Sequence, residues 1–178
     1  LPGKLFSAAD APIPTPPPAA PPASAAPTAA PPAMTVALVV EPPEPKVGQK
    51  ATVRIVGRKT AGLFGVQMQL TYDPKALQVA DADPAVAGAP IAMSAVFPKA
   101  GSFVAMNKLD PDKGVIEFAV TLLGPARSIQ GDVELASFVV TPLRAGVAEI
   151  GFGQVLLADQ NAQPLRATVV GLSLGVKD

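Results

Sequence analysis

Between Gly65 and Tyr72 the chain reads Gly-Val-Gln-Met-Gln-Leu-Thr-Tyr, apolar and polar side chains alternating until Asp73-Pro74 turns it. Strand side chains alternate with a period of two, so Val66, Met68, Leu70 and Tyr72 share one face while Gln67, Gln69 and Thr71 share the other. Such a strand belongs to a sheet with one buried face and one polar, uncharged face. A face of that kind suits a partner better than a reaction.

The same texture runs from Thr35 onward, in short β-rich runs separated by Gly, Pro, Asp and Asn and without a long helical period. Strands are expected near 35–40, 50–56, 63–72, 77–80, 103–107, 114–123, 133–141, 148–157 and 167–176. That spacing predicts an all-β fold, a nine-stranded β-sandwich with jelly-roll topology. Ala51, Val53 and Ile55 form one inward row, and Ile116, Phe118, Val120 and Leu122 form another, alternating with Glu117, Ala119 and Thr121. Ala136, Phe138 and Val140 form a third, but Leu135 and Val139 make that strand apolar on both sides, as expected of a central strand or one beneath a loop. Asp110-Pro111-Asp112-Lys113-Gly114 is the clearest hairpin signal, with Gly114 supplying a positive φ after a Pro-initiated turn.

Residues 1–33 are of another kind. From Pro12 to Pro32 the sequence is nearly all Pro and Ala, which excludes a helix or a central strand, because each Pro lacks an N–H and restricts its predecessor. A polyproline-like spacer rising about 3.1 Å per residue would reach at most about 65 Å. The expected organisation is therefore an N-terminal segment and Pro/Ala-rich linker over 1–33, followed by a β-sandwich domain over 34–178. Pro14 to Pro17 fits a P-x-x-P pattern, as any Pro-rich run does. Leu1 to Asp10, with Leu5 and Phe6, reads as the end of a preceding module or a short anchoring segment.

Composition narrows the function. The 14 basic and 14 acidic residues balance and are scattered, which leaves no electrostatic footprint for nucleic acid or an anionic membrane surface. There is no His and no Cys, which removes the commonest general bases, nucleophiles and transition-metal ligands. The core must stand without disulfides. No apolar run approaches the roughly 20 residues of a membrane-spanning helix; the longest candidates, such as Val36 to Val40, are strand-length. The chain opens at Leu1 without a basic segment and apolar h-region, so a fragment or processed product is expected.

Asp110 and Asp112 invite a calcium reading, but no register around them supplies the ligand pattern of an EF-hand loop, and a plain turn is favoured. Asp159-Gln160-Asn161 reads likewise as a turn before Pro164. Asp73, Glu117 and Glu149 are carboxylates that a glycosidase could use, yet nothing in their spacing pairs them; Asp73 is placed to cap the turn at Pro74. Carbohydrate binding on a sandwich usually needs a row of exposed rings. Here there is no Trp, Tyr72 falls inward, and Phe118, Phe138 and Phe152 sit where a core is expected.

Taken in order, the opening apolar strand, Val47 to Val53, Phe64 to Pro74 with Leu77 and Val79, Gly114 to Leu123, Gly131 to Val140 with Phe138, and Gly171 to Val176 resemble a bacterial cohesin domain. The resemblance covers about 35–176; Ala82 to Phe97 and the low aromatic content depart from the family's pattern. It implies a non-catalytic module, extracellular or in the cell envelope, that holds a dockerin-type protein on one sheet face and needs no cofactor. The strands at 103–107, 114–123, 63–72 and 148–157 would form that face. Gln67, Gln69, Thr71, Glu117, Ala119 and Thr121 would be the partner-binding residues. Two alternatives stand beside it: a structural or accessory subunit of a secretion or cell-surface assembly, filament or secretin-associated, whose partners are neighbouring subunits, and a carbohydrate-binding module taking polysaccharide.

Overall fold

The computed structural model describes residues 34–178. The expected linker, its P-x-x-P match and the Leu1 to Asp10 segment lie outside the described residues. The described residues form twelve strands and no helix: β1 (Met34–Glu41), β2 (Ala51–Leu63), β3 (Gly65–Tyr72), β4 (Leu77–Ala80), β5 (Ala92–Met93), β6 (Ser102–Asp110), β7 (Val115–Leu122), β8 (Ile129–Pro142), β9 (Gly146–Ala158), β10 (Pro164–Leu165), β11 (Ala167–Val170) and β12 (Leu172–Val176). One sheet runs β11-β1-β2-β8-β4, with β5 also on β8; the other runs β10-β9-β3-β7-β6, with β12 also on β9. The fold is an all-β sandwich.

The alternating rows meet between the sheets. Val53, Ile55 and Phe138 from one sheet and Met68, Leu70, Ile116 and Phe118 from the other are at most 2% exposed. Large aliphatic side chains fully removed from water contribute roughly 1.5–3 kcal/mol each, which lets the domain stand without cross-links. The hairpin at Asp110 joins β6 to β7 as expected, with Gly114 at φ +67°.

Every expected run contains a strand, but four details differ. The run at 63–72 is divided by Phe64: Leu63 ends β2 in one sheet and Gly65 begins β3 in the other. The run at 167–176 is likewise divided at Gly171, so that β11 lies parallel to β1 while β12 lies antiparallel to β9 in the opposite sheet. The two-residue strands β5 and β10 carry too little pattern to be read in advance. The fourth concerns β8, which is central as expected, between β2 and β4.

In β8, Ala136 faces Ile55 and Glu134 faces Val56, which leaves Leu135 as an extra, unpaired residue. This bulge turns Leu135 and Ala136 inward together, both fully buried, whereas strict alternation would have sent Leu135 outward. Residues 82–98 then pack over this side of the sandwich, burying Ile91 and Phe97. Ser94 Oγ donates to Glu134 O, and Asn107 of β6 bonds Ile91 through both its amide groups, donating to the carbonyl at 2.8 Å and accepting from the N–H at 3.1 Å.

Candidate partner-binding face

The strands expected to form the face are neighbours in the order β9-β3-β7-β6. Their register stacks the outward side chains in rows. Gly65 lies between Ala158 and Thr121, and Thr121 faces Phe103. In the next row Gln67 lies between Leu156 and Ala119, and Ala119 faces Met106. Below it Gln69 lies between Gln154 and Glu117, and Glu117 faces Lys108. Thr71 follows, between Gly151 and Val115. All six residues singled out from sequence therefore share one surface.

That surface is not uniform. Phe103, Met106 and Leu156 are 57%, 41% and 51% exposed around Ala119 and Gln67, making one end apolar. The polar, uncharged character expected from β3 holds for β3 alone: Glu117 and Lys108 bring charge beside Gln69. Small side chains at Gly65 and Ala119 leave an open groove of about 440 Å³ at the apolar end, bounded also by Thr121, Leu156 and Leu165. In the polar half, Gly153 is the extra residue of a bulge in β9, and the Gln69 amide occupies the room a side chain there would need.

Asp73, Asp110 and Asp159 are engaged by their own turns. Asp73 Oδ1 accepts from Lys75 N–H at 2.9 Å, capping its turn, and Oδ2 pairs with Arg144 at 2.8 Å. Asp110 accepts the Lys113 N–H and pairs with the Lys113 ammonium, each at 3.2 Å, and these contacts hold its carboxyl below the usual range. Burial, and secondly the charge of Asp110, push the Tyr72 phenol above its ordinary value. Asp159 Oδ1 accepts from Asn161 and Gln163 N–H at 2.8 Å, closing the expected turn. Glu149 lies on β9 opposite Ser173 of β12.

Neither a protein-family model nor a curated protein matches this sequence. Solved structures do. A type II cohesin domain from the cellulosome of Acetivibrio cellulolyticus superimposes with a TM-score of 0.68 at 18% identity, over 80% of this chain and 95% of its own. The domain has a cohesin-like fold. A non-cellulosomal cohesin from the hyperthermophilic archaeon Archaeoglobus fulgidus matches this cohesin-like domain at TM-score 0.62 and 10% identity, over 82% of this chain and 92% of that one. A type I cohesin–dockerin complex from Clostridium thermocellum matches at TM-score 0.62 and 12% identity, over 80% of this chain and 99% of that one.

Sequence reasoning missed the apolar end of the cohesin-like face. Phe103 sits in Phe103-Val104-Ala105-Met106, a run that is apolar in both strand phases and so does not announce an outward side. A bulge after Val104 shifts the phase, so that Phe103 and Met106 emerge on the same face despite their odd spacing. Leu156 was obscured in the same way by Val155 and Leu157.

Proposed function

We propose that this chain is a non-catalytic protein-interaction module that holds a dockerin-type protein on the β9-β3-β7-β6 face. The observation that carries the reading is the arrangement of that face, where exposed Leu156, Met106 and Phe103 surround Ala119, and Gln69, Gln154, Glu117 and Lys108 provide hydrogen-bonding groups beside them. Exposed apolar side chains next to hydrogen-bonding groups are what a protein interface is built from. The cohesin-like fold supports a dockerin-type partner and, with it, an extracellular or cell-envelope location. Gln67, Gln69, Thr71, Glu117, Ala119 and Thr121 are its proposed contacts, joined by Phe103, Met106 and Leu156.

Titration calorimetry of residues 34–178 against a panel of dockerin modules, in calcium, tests the proposal. At least one dockerin should bind, and Gln69→Arg combined with Ala119→Arg should weaken it by about a hundredfold or more, as loss of a buried centre does. No binding across the panel, or equal binding by the double variant, overturns it. Among the described residues of this face Phe103 is the single aromatic ring, so a polysaccharide would lack the planar row it stacks on.

A further inference from the structure

A different surface lies along the edge of the same sheet. β6 ends the strand order, and its far half is covered: Asn107 holds Ile91, and the Leu109 N–H donates to Gly88 O at 2.9 Å. No such loop hydrogen bond reaches Phe103–Met106 among the described residues, and all four residues are exposed. Beneath that run, between β6 and residues 82–99, lies a largely apolar groove of about 690 Å³ bounded by Val86, Ile91, Phe97 and Val104. Above it stand the exposed Phe103 and Met106.

We propose that this open edge receives an extended, apolar segment of a partner protein as an added strand. Side chains of a strand alternate between faces, so every second residue of the segment enters the groove under Val104 and the others rest against Phe103 and Met106. The bare N–H and C=O groups select a peptide backbone; a lipid chain or an apolar small molecule would leave them unmet. The bulge at Ala105 and the cover beginning at Asn107 keep the added ladder short.

The charges disfavour a second copy of this chain. Lys99 lines the groove, and a second copy offering Phe103–Met106 brings no carboxylate to it. Lys99 is exposed and belongs to no ion pair among the described residues. A partner segment with a carboxylate flanking its apolar residues complements it.

The probe is a capped heptapeptide, Asp-Val-Thr-Val-Thr-Val-Asp, with a control bearing N-methyl groups at alternate amides. It is titrated into the full chain while backbone amide signals and hydrogen exchange are followed. Saturable binding is expected, with slowed exchange in Phe103–Met106, and the N-methylated control or Val104→Lys should weaken it about tenfold or more. Val86→Asp, at the exposed far wall, should weaken it as well, and unchanged urea midpoints establish that both variants fold. The Gln69→Arg and Ala119→Arg pair should leave it unaltered, which separates this surface from the dockerin face. No saturable binding overturns the proposal, as does equal affinity for the N-methylated control, which would mean a site for apolar side chains alone. Self-association reversed by Val104→Lys overturns it in favour of a second copy.

Discussion

Gly114→Ala should be among the most damaging single-methyl additions to this domain. The residue sits at φ +67°, where an L side chain costs about 1–2 kcal/mol. Geometry adds a second penalty, because a Cβ there would lie 2.1 Å from the Tyr72 carbonyl oxygen and 2.8 Å from Pro74 Cδ. Neither neighbour is the loose end of a flexible side chain. Relief requires the β3–β7 junction to separate, which sacrifices the Tyr72 N–H to Gly114 O bond of 2.9 Å, worth about 0.5–1.5 kcal/mol. The sum with residual strain is about 2–4 kcal/mol.

Gly131→Ala isolates the first penalty, since Gly131 has φ +83° with nothing within 4 Å of a built Cβ. It should cost only about 1–2 kcal/mol. Urea unfolding followed by circular dichroism measures both variants. With a slope near 2 kcal/mol/M, Gly114→Ala should unfold roughly 0.5–1 M earlier than Gly131→Ala. If the two variants are equally stable, the close approach of β3 to the hairpin is not as described and the reasoning fails.

Leu135→Ala should destabilise by about 2–4 kcal/mol, since Leu135 is fully buried, whereas Val139→Ala on the half-buried opposite face should cost about 1 kcal/mol or less. Equal losses would contradict the bulge. Tyr72 is the single tyrosine and there is no Trp, so absorbance near 295 nm follows its ionisation alone. The folded domain should titrate above the value of about 10 found in urea. A phenol with a raised folded-state pKa holds its proton more tightly when folded, so its contribution is complete below pH about 10 and is lost as pH rises beyond it. Unfolding midpoints measured up to pH 11 should fall accordingly, and a folded-state titration at or below the unfolded value refutes the burial argument. Thr60→Val should cost about 1–3 kcal/mol, because buried Thr60 Oγ1 donates to the Gly131 carbonyl at 2.6 Å and Val leaves that oxygen unmet; an unchanged urea midpoint would deny that bond its role.

Much of the candidate face was legible because β3 and β7 obey strict alternation over their whole length. Gln67, Gln69, Thr71, Glu117, Ala119 and Thr121 could be assigned an outward direction from spacing alone, and the structure seats Gln67 opposite Ala119 and Gln69 opposite Glu117. Phe103, Met106 and Leu156 were not legible. They lie in runs apolar in both phases, and bulges at Ala105 and Gly153 shift the phase locally. A bulge is set by how one strand fits its neighbour, information absent from either strand's own sequence.

Local pattern alone was enough to place most of the strands between 35 and 176, to show which side of most of them is apolar, and to locate the reversal at Asp110 to Gly114. Those properties are local, fixed by side-chain period and by the backbone freedom of single residues. The crossings between sheets at Phe64 and Gly171, the inward turn of Leu135 and the apolar patch beside the glutamines came from the assembled fold. Each of those outcomes depends on pairing between strands distant in sequence. Alternation specifies two faces for every strand but not which neighbour it will join.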